Sequence, residues 1–234
     1  MIELFLVDHT ALSDEKLFAF WLARADGARR AKVENLIRRE DKNASLAAGI
    51  ILPLALRARG YAGDIRVEAE AGGKPRLIVP QGVHFNLSHS GKYTVLALSD
   101  TEVGVDVQQK RAVDLRVARR YFSPEEWAHI SAAEDKEGLF YRYWTAKESY
   151  LKALGTGLAR PLNSFTVRFG GGAEIDDPHE SGEWSVREYC GLKGYALAVC
   201  CRASAAASTT DSANINAAAP LTARDLTGEI INCR

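Results

Sequence analysis

Phe140-Tyr-Arg-Tyr-Trp-Thr-Ala-Lys-Glu-Ser-Tyr-Leu-Lys-Ala-Leu-Gly155-Thr-Gly157 is the stretch on which the reading of this chain turns. Phe140, Trp144, Leu151 and Leu154 recur at the steps that fall on one side of a 3.6-residue helix, so that side is expected to be buried. Gly155 and Gly157 stop the helix. Glu148 lies one turn after Trp144 and one turn before Lys152, which sets a carboxylate and an ammonium side by side, next to an indole that partly excludes water. On a solvated helix such a pair is ordinary and contributes only ~0.3–0.5 kcal/mol. The rest of the chain gives it more weight.

Working outward, Ser123-Pro124-Glu125-Glu126 forms a capping box with proline at the first helical position, so a helix is expected from there to about residue 133. Strands are expected after the central helix at 164–169, 184–189 and 195–201. Upstream, residues 1–8 alternate like a strand, and helices are expected at 13–25, 28–41 and 43–59, with Pro53 kinking or breaking the last. The 28–41 helix carries Arg29, Arg30, Lys32, Arg38 and Arg39 against three acids, a candidate anion contact on an otherwise solvated face. Strands at 65–70, 76–79, 84–89, 94–98 and 103–108 follow, separated by Gly- and Pro-containing turns. Tyr93-Thr-Val-Leu-Ala-Leu98 and Tyr195-Ala-Leu-Ala-Val-Cys200 echo one another, and each follows a long helix. The fold class expected is therefore α+β: a pseudo-dimer of two similar halves, 1–102 and 103–202, each a small antiparallel sheet packed with a long helix. Residues 203–234 begin as an Ala/Ser/Asn-rich run, and the whole segment is expected to be a mobile tail.

Composition bounds the function. The 234 residues hold 30 Lys plus Arg and 30 Asp plus Glu, so overall charge gives no reason to expect nucleic-acid binding, and any basic site must be local. No apolar run is long enough to span a bilayer, and the N-terminus does not read as a signal peptide. A cytoplasmic monomer is expected. Cys190, Cys200, Cys201 and Cys233 show no paired metal spacing and read as free thiols.

Three further stretches carry chemistry. In Gly104-Val-Asp-Val-Gln108 the valines 103, 105 and 107 share one face of a strand, so Asp106 and Gln108 share the other. A carboxylate beside a carboxamide oxygen suits a hard cation such as Mg²⁺, with Glu148 as a third oxygen, although the pentapeptide alone also fits the polar edge of a half-buried sheet. Phe85-Asn-Leu-Ser-His-Ser90 ends a strand with hydroxyls and an imidazole beside a glycine turn. A Ser88/His89 hydrolase is the rival reading there, without a nucleophile elbow to support it. Gly72-Gly-Lys-Pro75 places Lys74 on a tight turn.

In this order and at this spacing, the four stretches resemble the 4'-phosphopantetheinyl transferases of the surfactin-synthetase-activating (Sfp) type, over about residues 1–202. The resemblance implies transfer of the phosphopantetheine arm of coenzyme A to a serine of an apo acyl or peptidyl carrier protein, with Mg²⁺, leaving adenosine 3',5'-bisphosphate. It also implies two similar α+β halves with the site between them. By position, Asp106 and Glu148 resemble the family's metal-binding carboxylates and Lys152 its diphosphate-binding cation. Lys74, Ser88 and His89 resemble coenzyme A contacts, and Arg29 and Lys32 fall where the family places cations for the 3'-phosphate. Gln108 stands where the surfactin-type enzymes carry a third acid, which opens two roles for it: direct ligand, or contact to a metal-bound water. No residue reads as an activated nucleophile, which fits an attacking hydroxyl that arrives on a partner, with Glu148 accepting its proton. A non-catalytic coenzyme A module is the other class of answer, and the retained Asp106, Glu148 and Lys152 speak against it.

Overall fold

A computed structural model describes residues 1–70, 73–170, 173–203 and 223–232. Two sheets lie back to back between two long helices. The first has the order β11-β1-β5-β4, built from β1 (Ile2–Asp8), β4 (His84–Ser90), β5 (Tyr93–Ser99) and β11 (Ala223–Asp225). The second has the order β6-β10-β9-β8-β7, built from β6 (Val103–Gln109), β7 (Thr166–Phe169), β8 (Ala173–Asp176), β9 (Trp184–Glu188) and β10 (Tyr195–Arg202). All pairings within both are antiparallel except β11 on β1. A separate hairpin joins β2 (Arg66–Ala69) to β3 (Pro75–Val79).

Strand alternation explains the layering. Val103, Val105 and Val107 face the first sheet and pack with Leu4, Leu6, Val95 and Ala97 in a core between the sheets. The opposite face of the first sheet, through Phe5, Val7, Leu96 and Leu98, takes Leu46, Ile50 and Ile51 of α3 (Arg39–Ala58). The opposite face of the second, through Val186, Ala198 and Cys200, takes Phe140, Tyr143, Tyr150 and Leu151 of α6 (Lys136–Leu154). Tyr93 and Tyr195, which lead the two echoed strands, meet edge to face at 5.1 Å across the middle.

Several boundaries differ from those expected. After α1 (Glu15–Arg24), the helix expected at 28–41 is split between two: α2 (Gly27–Asn35) stops, and residues 39–41 belong to α3, which begins at Arg39. Glu40 and Asp41 belong to the first turn of α3, where the helix dipole favours acids, rather than to a C-terminus, where it does not. Pro53 does not break α3, because Ile50, Ile51, Leu52, Leu54, Ala55 and Leu56 on both sides of it are buried and their packing offsets the lost main-chain bond. A short α4 (Arg116–Tyr121) and strand β8 were not expected; α5 (Pro124–Ala132) was, with its capping box complete.

The largest difference is at the C-terminus. Residues 204–222 of the expected tail lie outside the described residues, but 223–232 are not a tail. β11 pairs in parallel with β1, and α7 (Thr227–Asn232) docks behind it. Leu226 and Ile230 are fully buried in the first core, and Trp21 Nε1 donates to Ile230 O at 3.0 Å.

Candidate active site

α6 and β6 touch through their backbones, and this contact builds the site. Gly104 faces α6, where a Cβ would overlap Ser149 O and Ala153 N, so only glycine lets the strand lie this close. Two residues along the same face, Asp106 comes under Lys152. Lys152 Nζ donates to Asp106 Oδ1 at 2.7 Å, to Ser88 Oγ at 3.0 Å and to Val105 O at 3.1 Å. Asp106 is 2% exposed. Ser88 donates its hydroxyl proton to Asp106 Oδ1 at 2.9 Å and accepts from Val107 N, so its hydrogen-bonding capacity is filled. The other carboxylate oxygen of Asp106 accepts from Gln108 Nε2 at 3.2 Å, and Gln108 Oε1 faces Ser90 Oγ at 3.5 Å.

Glu148 completes the group without joining the hydrogen bonds. The side-by-side Glu148–Lys152 contact read from the sequence does not take the ammonium, which turns to Asp106 instead. Glu148 Oε1 is buried and has no hydrogen-bond partner among the described residues. Burial first, and then the negative charge of Asp106, push the Glu148 carboxyl above its ordinary range, against the pull of Lys152. A buried carboxylate oxygen with no partner among the described residues, within electrostatic reach of a second carboxylate, is a place that asks for a cation. The two carboxylates present oxygens, which suits a hard dication. Among the described residues no three His, Cys, Asp or Glu side chains converge, because the third position is Gln108.

The remaining expected residues fall elsewhere. Strand alternation puts His89 on the face opposite Ser88, exposed, so the two cannot act as a Ser/His hydrolase pair. Partial desolvation, then the charge of Lys152, keeps the His89 imidazole below its ordinary range; Lys32 adds to this, while Asp41 and Asp106 oppose it. His89 and Lys32 thus lie within electrostatic reach of each other. Arg29 points instead toward α3, donating to Ser45 O at 3.2 Å and lying across Gly49, on the wall of a 610 Å³ cavity between α1, α2 and α3. Lys74 reaches the back of the β6–α6 contact, where its ammonium donates to Ala153 O at 2.7 Å and Val103 O at 3.2 Å. Burial lowers its pKa.

One residue of the opening stretch was not read as functional or structural. Lys147 is completely buried, paired with Glu126 at 2.6 Å and donating to Phe165 O at 2.8 Å. Burial brings it down to about 8, against the pull of Glu126. Glu126 is also the capping-box acid of α5, bonded to Ser123 N, and it accepts from Val167 N of β7. The pair therefore ties α5, α6 and β7 together one residue before Glu148. The capping box was legible; its second role needed the fold.

Fold and site together define a class: an α+β protein of two packed halves, with carboxylates and a lysine gathered where β6 meets α6, and its central hydroxyl committed to a carboxylate. The model of the 4'-phosphopantetheinyl transferase superfamily matches residues 102–200. The 4'-phosphopantetheinyl transferase Sfp of Bacillus subtilis (strain 168) is 32% identical over 179 residues, covering 74% of this chain and 80% of that protein. A transferase of the same name from Bacillus pumilus, psf-1, is 38% identical over 148 residues, covering 62% and 64%. Among solved structures, a holo-[acyl-carrier-protein] synthase from Neisseria meningitidis aligns with a TM-score of 0.39 and 17% identity over 44% of this chain and 98% of that one, a likeness too slight to bear on the site. The chain belongs to the 4'-phosphopantetheinyl transferase family, in its surfactin-synthetase-activating type, and is an enzyme of that class.

Proposed function

We propose that this enzyme transfers the 4'-phosphopantetheine of coenzyme A to a serine of an apo acyl or peptidyl carrier protein, with Mg²⁺ held by Asp106, Glu148 and the Gln108 oxygen. The observation that carries the metal is the buried, unpartnered Glu148 Oε1 facing Asp106. Mg²⁺ there supplies positive charge against the diphosphate. Lys152 supplies a second cation, already oriented by Asp106, Ser88 and Val105 O. The carrier's serine oxygen forms a bond to the phosphorus that bears the pantetheine, and the bond from that phosphorus to the bridging oxygen breaks, releasing adenosine 3',5'-bisphosphate. Glu148, made more basic by burial, takes the serine proton directly or through water. Positioning and charge neutralisation are what phosphoryl transfer mainly demands. Lys32 and His89 form the cluster we assign to the 3'-phosphate, with Arg29 joining it by turning off Ser45; Lys74 and Ser88 border the coenzyme. We place the reaction in the cytoplasm on a monomer, with neither nucleic acid nor membrane as a partner; the balanced charge supports the absence of a nucleic-acid partner.

Intact-mass analysis of apo carriers incubated with the enzyme and coenzyme A should show the gain of one phosphopantetheine only when Mg²⁺ is present. Equal transfer in excess chelator would overturn the metal assignment. No transfer to any of a panel of fatty-acid, polyketide, peptide and siderophore carriers would overturn the reaction.

A further inference from the structure

β4 and β6 are neighbouring edges of the two sheets, yet they belong to separate main-chain ladders. A regular series of side chains joins them instead. Val105 N donates to Asn86 Oδ1 at 2.9 Å, Val107 N to Ser88 Oγ at 3.3 Å and Gln109 N to Ser90 Oγ at 3.0 Å. Every second residue of β4 thus takes one of the amides that β6 turns away from β10. The carbonyls along this edge go to lysines: Val103 O to Lys74 and Val105 O to Lys152. A side chain placed between two strands holds their backbones farther apart than the ~4.8 Å of a ladder. The gap so opened is where the Lys152 ammonium lies.

The three rungs are not equivalent. Ser88 also bonds Asp106 and Lys152, so it belongs to the reacting centre. The side chain of Asn86, 6% exposed, accepts from the Val105 amide and joins neither Asp106 nor Lys152 among the described residues, and Ser90 bonds the Gln109 amide with its hydroxyl facing Gln108 Oε1. We propose that Asn86 and Ser90 are positioning residues: outer rungs that hold β6 so that Asp106 and Gln108 stay aimed at α6, while Ser88 and Lys152 turn to the substrate. Ser90 in addition orients the Gln108 amide. The kinetic part of this proposal rests on the transfer reaction given above; the hydrogen-bond part does not.

The two parts are tested separately. In the ligand-free protein, amide hydrogen exchange followed by NMR should quicken at Val105 in Asn86→Ala and at Gln109 in Ser90→Ala, with Leu96 and Val199 unchanged as internal controls. Asn86→Asp and Ser90→Thr, which keep the acceptor oxygen, should retain the protection. In transfer assays Ser90→Ala should lower kcat and raise the Mg²⁺ midpoint by about ten- to a hundredfold, the usual range for a residue supporting a metal ligand. KM for coenzyme A should move little, and Ser90→Thr should restore the parent values. If Asn86→Ala fails to fold, Ser90→Ala, at the half-buried end of the strand, decides alone. Parent-like exchange at both amides overturns the ladder whatever the enzyme catalyses. Lost protection with an unchanged kcat and Mg²⁺ midpoint overturns the positioning role, as does a parent enzyme that transfers nothing, in which case the exchange data still decide the ladder.

Discussion

Glu148 is asked to be two things at once. The proposed function makes it both metal ligand and base, and the burial of its unpartnered oxygen makes its charge costly in the ligand-free protein. Glu148→Gln should therefore lower transfer by at least ~10²–10⁴-fold, the range for a missing general base, while raising the melting temperature at neutral pH. The sign follows from linkage: the folded-state pKa is raised, so ionising the carboxyl destabilises the fold above the ordinary carboxylate range. The stability gap between variant and parent should close as pH falls through the raised value toward 4.5, below which both side chains are neutral. Melting curves from pH 4 to 8 measure this; a gap that stays constant with pH would show that charge is not its cause. Gln108 gives a second residue-scale prediction. Its amide hydrogen holds Asp106 Oδ2 and its oxygen faces Ser90 Oγ; ligation requires the amide to turn over, with Ser90 Oγ then accepting from Nε2 and the oxygen lying beside Asp106. Gln108→Leu should raise the Mg²⁺ concentration needed for half-maximal rate severalfold, and Gln108→Glu should lower it. A Gln108→Leu enzyme that titrates with Mg²⁺ like the parent would leave Asp106, Glu148 and water to complete the site.

At the scale of elements, the site depends on how α6 is rolled and how closely β6 lies against it. Gly104 sets the distance and the Lys147–Glu126 pair sets the roll, since Lys147 adjoins Glu148 in the helix and is anchored to α5 and Phe165. Breaking a buried ion pair from one side leaves an uncompensated charge and costs ~3–5 kcal/mol. Lys147→Met should lose about that much in urea denaturation, because Glu126 stays buried against Ser123 N and Val167 N. Adding Glu126→Gln removes the stranded charge and should recover part of the loss. Two substitutions that simply add would show that the pair is not coupled.

At the scale of the whole molecule, the chain ends where it began. β11 and α7 close over β1: Leu226 N bonds Leu6 O, Asp8 N bonds Thr227 Oγ1, and Leu226 and Ile230 fill the first core. Burying two such side chains contributes ~1.5–3 kcal/mol each, a large part of the ~5–15 kcal/mol typical of a domain. Truncation after Arg202 should accordingly lower the melting temperature sharply, and Leu226→Ala alone should cost ~2–5 kcal/mol. A truncated protein that melts like the parent would show that this strand and helix contribute nothing.

What the sequence alone determined was whatever depends on period and local chemistry. The valine alternation of β6 already placed Asp106 beside Gln108, the capping box marked the start of α5, Gly155 ended α6 in a left-handed conformation, and the motif order named the family. Pairings between distant segments were a matter for the tertiary structure. Glu148 and Lys152 share a helix face, yet Lys152 bonds Asp106, 46 residues away, because the close backbone contact at Gly104 brings the Asp106 carboxylate to 2.7 Å from its ammonium. Helix propensity made Pro53 a kink or a break, and with burial on both sides α3 runs through it unbroken. Leu226 and Ile230 fall within the segment expected to be a mobile tail, since nothing in a sequence shows that the edge of β1, more than two hundred positions earlier, is open to receive them.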